Sequence, residues 1–291
     1  MLDEFRRQYA WQIREALFTV RLLGRNPSAV AGFAIITGMV AMALAAPVLA
    51  PYNPIQISLG DRLLPPGGPH WFGTDELGRD ILTRVMYGAR ISLWIGVIVV
   101  VIAGGLGAVI GAVSGYLGQR VDNLIMRVMD VILSFPPLVL AMALAAALGP
   151  SLNNAVLAVA FVMIPKFARM VRGEALAVKE KQFIAAARAS GAGSLWIVWH
   201  HVLPNCLSSV IVLGTLILGE TILIAASLSF IGLGAQPPTP EWGAMISVGR
   251  KFLMDQWWYA TFPGLFILVT VIGFNIFGDA LRDVLDPRIR R

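Results

Sequence analysis

The chain reads as an all-α integral membrane protein with six transmembrane helices and both termini on the cytoplasmic side. Three observations predict this. Hydrophobic residues make up 57% of the 291 positions and charged residues only 14%, whereas soluble domains are about a quarter charged; mean hydropathy is +0.74. Several apolar runs reach the roughly 20 residues needed to cross about 30 Å of hydrocarbon. The basic residues also fall unevenly among the loops, which orients the spans.

Residues 1–28 come first. Phe5, Tyr9, Ile13 and Leu17 recur every four residues among Arg6, Arg7, Arg14 and Arg21. That pattern predicts an amphipathic helix on the cytoplasmic membrane surface, because no cleavable apolar core with a small-residue site is present. The first span is predicted over about 29–50, and residues 29–90 group it with an extracytoplasmic loop. A core follows over 91–285, with spans at about 91–117, 124–148, 152–172, 205–231 and 260–280, and a cytoplasmic tail at 286–291. Gly149-Pro150-Ser151 reads as the turn between spans three and four. Pro136-Pro137 removes backbone donors and predicts a kink in span three.

With the N-terminus inside, the outer segments 51–90 and 232–258 hold Arg62, Arg79, Arg84, Arg90, Arg250 and Lys251 against six acids. They are neutral, so the whole net charge of +6 lies on the inner side. Membrane lipid accounts for that charge, and no nucleic-acid partner is implied. Trp257, Trp258 and Tyr259 fit an interfacial belt at the outer start of span six. Gly107, Gly111 and Gly115, four apart, form a flat stripe suited to close helix packing.

Lys179–Asn205 stands apart. It is a polar, helix-forming island between two apolar blocks, with an Ala-rich helix stopped by Gly191 and a run ending in Leu203-Pro204. Such a segment suits docking against another protein better than burial in lipid.

The chemistry present is sparse. Lysine occurs only at 166, 179, 181 and 251, which excludes a phosphate-cradling loop closed by lysine. None of His70, His200 and His201 lies in a span, and Cys206 is the lone cysteine. Haem ligation, a metal site and an internal disulfide are therefore not expected, and no catalytic constellation is present. His200-His201 reads as part of a cytoplasmic interface, and Arg127 with Asp130 as a local helix pair. Glu220 reads as the one ionisable residue near the middle of a span. It serves either as a packing carboxyl or as lining of a substrate path. A self-sufficient secondary carrier would need more buried polar groups. A membrane subunit of a redox or energy-converting complex is the alternative from another class.

Residues 181–205 resemble the coupling loop of ABC-importer permeases, with Ala185-Ala186-Ala187, Gly191, Val202 and Leu203-Pro204 in the matching places. Ala185 stands where the family has glutamate, so the polar contact of that glutamate has no counterpart here. Further stretches are similar to the C-type permease of dipeptide, oligopeptide and nickel importers: 70–80 (HWFGTDELGRD), 133–136 (LSFP), 227–234 (SLSFIGLG), 236–243 (QPPTPEWG) and 278–288 (GDALRDVLDPR).

The resemblance implies a non-catalytic, multi-pass permease of a prokaryotic cytoplasmic (inner) membrane. Its implied partners are a B-type permease, two cytoplasmic ATPase subunits that carry ATP and Mg²⁺, and an extracytoplasmic substrate-binding protein. No cofactor is implied in this chain. Peptides are the implied cargo, with glutathione, a nickel chelate or another small solute as alternatives. The implied ATPase-coupling residues are Phe183, Ala185, Ala186, Ala187, Arg188, Gly191, Leu203 and Pro204. Glu220, Phe135 and Ser227 are assigned to the substrate path, and Asp75, Arg79, Glu241 and Trp242 to loops facing the binding protein.

Overall fold

A computed structural model describes residues 21–285, and every regular element among them is helical apart from two isolated bridges in the loop at 67–80. The expected surface helix over 1–28 lies largely outside the described residues, and the tail at 286–291 wholly so. Helix α1 (Pro27–Leu49) starts where Asn26 Oδ1 accepts from Ser28 N and Ala29 N and Pro27 occupies the first turn, the usual chemistry of a helix start. It packs on the last helix, α10 (Trp258–Leu285), where the backbone at Gly32 lies against that of Phe277.

Helix α2 (Ile81–Leu117) begins at an Asp80 cap, ten residues before the expected span start at 91. The division between loop and core placed at 90/91 therefore falls inside a helix. Gly118, at φ +66°, ends it and leads into α3 (Gln119–Leu133) and α4 (Pro137–Leu148). These two helices meet at 91°. The kink expected at Pro136-Pro137 is thus a right-angle break at Ser134–Pro136, since Pro137 cannot donate to the preceding turn. α4 is only about 18 Å long at 1.5 Å per residue, so the third crossing is a composite of two pieces. α3 is not a span in the ordinary sense, because its charged face turns toward the inner half of α5 (Leu152–Lys179).

The turn before α5 is the expected one. Gly149 has φ +90°, Ser151 Oγ accepts from Asn154 N, and Asn154 Nδ2 donates to the Leu148 and Gly149 carbonyls at 2.8 and 2.9 Å. Beyond α5 come α6 (Gln182–Ala189), α7 (Ser194–Ile197), a π-helical turn at Val198–Val202, and α8 (Leu203–Phe230). On the outer side a short helix α9 (Trp242–Gly249) precedes α10. Five helical stretches are long and apolar enough to cross a membrane, and the bent α3–α4 pair makes six. Six crossings put the described chain ends and α6 on one side.

The centre of the bundle is the contact of α2 with α5. A Cβ on Gly107 would stand 2.8 Å from the Ile164 carbonyl oxygen, one on Gly111 2.4 Å from that of Ala168, and one on Gly115 2.7 Å from that of Arg172. The glycine stripe therefore does what its spacing predicts: it brings two backbones together with no side chain between them. Phe167, Met163, Val99 and Ala103 are fully buried beside it.

The aromatic belt expected at 257–259 is only partly one. Trp257 is exposed, but Trp258 and Tyr259 are buried because Trp258 Nε1 donates to the Thr74 carbonyl and Tyr259 donates to Glu76. Two of the three rings hold the outer loop instead of meeting lipid. Asp130 likewise pairs with Arg169 of α5, not with Arg127 on its own helix.

Gly111→Val tests the α2–α5 contact. Its side chain must push apart two backbones, and overpacking of this kind costs about 1–3 kcal/mol or more. The expected result is a clear fall in the thermal midpoint of the detergent-purified protein, with Gly105→Val, which points into open space, close to wild type.

Candidate coupling surface and membrane passage

α6 leaves α5 after a two-residue turn and ends in a double hydrogen bond: Ala192 N donates to Ala187 O and Gly191 N to Arg188 O. This closing pattern requires a left-handed residue, which Gly191 supplies at φ +85° with open space around it. The requirement at Gly191 is thus conformational. One face of α6 is anchored. Ile184 is fully buried among Tyr116, Val171, Val178, Ile197 and Val202. Arg188 Nε donates to the Tyr116 hydroxyl at 3.1 Å, with its guanidinium 5.1 Å from the ring centre.

The other face is free. Ala185, Ala186 and Ser190 are exposed, and Phe183 meets the His201 ring edge-on at 5.9 Å. Phe183, Ala186, Gly191, Trp196 and His201 line an open groove beside it. Trp196 of α7 stacks on His200 at 4.5 Å, while His201 meets Phe183 of α6. Among the described residues no cluster of three or more His, Cys, Asp or Glu could hold a metal.

Arg188, though exposed, reaches back to α2 through the Tyr116 hydroxyl, and Leu203 is buried in the same core as Ile184. Ala187 is half-buried, and Pro204 is exposed in the first turn of α8. Ile184 and Tyr116 were missed. Ile184 is the only aliphatic side chain larger than alanine in α6, a signal the sequence did carry.

Glu220 is not alone at mid-depth. Lys166, midway along α5, donates to its two carboxylate oxygens at 2.7 and 2.5 Å, so two charges from different helices neutralise each other. Ser227 lies two turns along the same face of α8 and satisfies itself on the Leu223 carbonyl at 2.8 Å. Phe135, half exposed, lies apart from them at the α3–α4 break.

On the outer side, the four residues expected to face a binding protein are interior. Asp75 is 0%, Arg79 6%, Glu241 1% and Trp242 0% exposed. Asp75 accepts from Leu77 N and Arg79 N at 2.9 Å and from Arg79 Nε at 2.6 Å, which folds 75–79 on itself. Trp242 Nε1 donates to the Val85 carbonyl. Glu241 caps α9 through Gly243 N and Ala244 N at 3.0 and 2.9 Å. Their polar groups are spent within the chain, on its backbone and, for Arg79, on the Asp75 and Glu76 carboxylates, so partners can meet only the loops around them.

Burial pushes the Glu241 carboxyl above its ordinary value of 4.5, and the two backbone donors only partly oppose the shift.

Residues 107–291 match the family described as "Binding-protein-dependent transport system inner membrane component", and residues 18–66 match "N-terminal TM domain of oligopeptide transport permease C". This chain belongs to the inner-membrane permease family of binding-protein-dependent transport systems. It is 51% identical over 269 residues to the "Probable D,D-dipeptide transport system permease protein DdpC" of Escherichia coli (strain K12), covering 92% of this chain and 90% of that protein. It is 44% identical over 288 residues to the "Dipeptide transport system permease protein DppC" of Alkalihalophilus pseudofirmus, covering 99% of this chain and 93% of that one. To the Escherichia coli (strain K12) protein of the same description it is 45% identical over 273 residues, 92% and 91% of the two chains. The permease is thus a multi-pass inner-membrane protein, and the resemblance read from its motifs extends over nearly all of it.

The Glu241 shift has a definite sign. The folded state holds this proton more tightly than the unfolded state, so the contribution of Glu241 is most favourable at low pH and declines as pH rises from about 4.5 through the raised folded value. Glu241→Gln keeps an acceptor for the cap and removes the titration. The variant's thermal midpoint is expected to vary less with pH than the wild type's as pH rises above about 4.5; identical slopes would count against the assignment.

Proposed function

We propose that this permease forms one half of the membrane passage of an ATP-driven importer of dipeptides and other short peptides. In this reading a B-type permease supplies the other half. Two cytoplasmic ATPase subunits bind and hydrolyse ATP with Mg²⁺, and an extracytoplasmic binding protein delivers the cargo. The observation that carries the reading is α6, whose Ala185-Ala186 face is exposed while its opposite face is locked into the membrane domain. Small side chains permit close backbone approach by an ATPase. Force on α6 passes to α2 through Arg188 and Tyr116, and to α5 and the start of α8 through Ile184.

The outer ends of those helices lie far from α6, so a small inner displacement can switch the passage between inward- and outward-open states by rigid movement. The peptide cargo follows from what the relatives are described as carrying. Glu220, with Phe135 and Ser227, is assigned to the passage. Binding-protein contact is assigned to exposed loop tips such as Met254 and Trp71, 95% and 73% exposed, in place of the buried residues of the same loops.

The test uses the assembled importer in liposomes. Gly191→Asp strains the left-handed turn and adds charge to the groove, and Ala186→Glu fills the docking face. Each is expected to lower peptide uptake about tenfold and to separate it from ATP hydrolysis, with the permease still inserted. Normal assembly, stimulated hydrolysis and uptake in both variants would remove the coupling assignment.

A further inference from the structure

Three cationic side chains succeed one another along α5 at intervals of three residues, and each meets a carboxylate of another helix. Arg172 pairs with Asp122 of α3 through two bonds of 2.6 Å, and Ser114 of α2 donates to the same carboxylate. Asp122 is only 10% exposed and holds three hydrogen bonds, so its carboxylate is closed off, although Arg172 itself is 36% exposed. The other two are open. In Lys166–Glu220 the side chains are 29% and 41% exposed, and in Arg169–Asp130 53% and 56%.

Open charges at this depth cannot face acyl chains. A charged side chain near the centre of a span is costly in lipid, and such residues face protein or water-filled cavities. Lys166 lies midway along α5, between Pro165 and the fully buried Phe167. Its terminus turns off that core toward Glu220 on α8. The open side of these pairs must therefore meet an aqueous route or another subunit.

We propose that Lys166 and Glu220 form a paired-charge subsite for a zwitterionic short peptide, with the peptide ammonium on Glu220 and its carboxylate on Lys166. The inference rests on the importer reading above and adds to it a partner for Glu220 and a chemical class of ligand. A zwitterion entering between the two side chains replaces one ion pair with two, so the net charge at mid-depth stays zero throughout. A peptide with one blocked terminus would leave one charge uncompensated. The termini of an extended dipeptide are about 7 Å apart, a gap that the flexible four-carbon stem of lysine can open. Arg169–Asp130 lies about 4.5 Å further along α5 toward the cytoplasm, and offers the next exchange of the same kind.

The experiment uses the complete importer in liposomes, with other accessible cysteines removed, and dialanine as cargo. Glu220→Cys, made alone and together with Lys166→Met so that no lone cation remains, is treated with the membrane-impermeant reagent trimethylammonium-ethyl methanethiosulfonate. The expected result is modification of the cysteine, which reports that position 220 meets water in the assembled importer. The neutral pair Lys166→Met/Glu220→Gln, inserted and assembled as judged by co-purification, is expected to lose dialanine uptake about tenfold. A purely structural ion pair would tolerate that neutral replacement.

A cysteine at 220 that never reacts would show the pair sealed against another subunit, and wild-type uptake by the neutral pair would show that no charge is needed; either overturns the subsite. If the wild-type importer moves dialanine and the neutral pair does too, only the subsite fails. If the wild-type complex fails to move dialanine or any other short peptide, the importer reading itself fails.

Discussion

Helices α2 and α5 touch backbone to backbone along Gly107, Gly111 and Gly115, and most of the remaining architecture takes its position from that contact. In a membrane the apolar effect does not drive helices together, since lipid tails are as apolar as the side chains, so close van der Waals packing has to do it. With α5 held against α2, the inner ends of both helices form the socket for Ile184, and Tyr116 at the end of α2 is placed to receive Arg188. The same contact orients the cationic row of α5 toward α3 and α8, where its three carboxylate partners lie.

Two mechanical consequences follow. The coupling helix is short and carries no side-chain cap at its start, so its rigidity comes from the Gly191 turn at one end and from its anchored face. An element of this kind transmits a push because it has little internal freedom of its own. On the outer side, Asp75 closes its own loop on itself, Trp242 ties its segment to α2 and Glu241 caps α9. The outer rim is therefore a folded cap and not a set of free loops, and movement there is expected to be collective.

Much of this was legible in the residues. Gly149-Pro150-Ser151 and Pro136-Pro137 mark backbone events through local chemistry, and both occur where they are marked. The coupling helix was legible because a polar, Ala-rich segment between two spans has no place in lipid. The side chains singled out in the outer motifs were harder to read: an Asp, Arg, Glu or Trp in a loop looks exposed until its hydrogen-bond partners are known. Arg188 shows the same difficulty, because its partner is a tyrosine 72 positions away. Lys166 was overlooked at mid-span, although its place in the fourth apolar run was visible.

The sequence by itself determined the class, the crossings and the side on which the polar island lies, because hydropathy, loop charge and turn chemistry act over stretches of tens of residues or fewer. Only the tertiary structure decided that the third crossing is broken at 91°, that Glu220 has a cationic partner, and which face of α6 is free. The ion pair and the anchored face of α6 depend on contacts between residues tens of positions apart, and nothing in local periodicity encodes which distant side chain completes an ion pair or fills a socket.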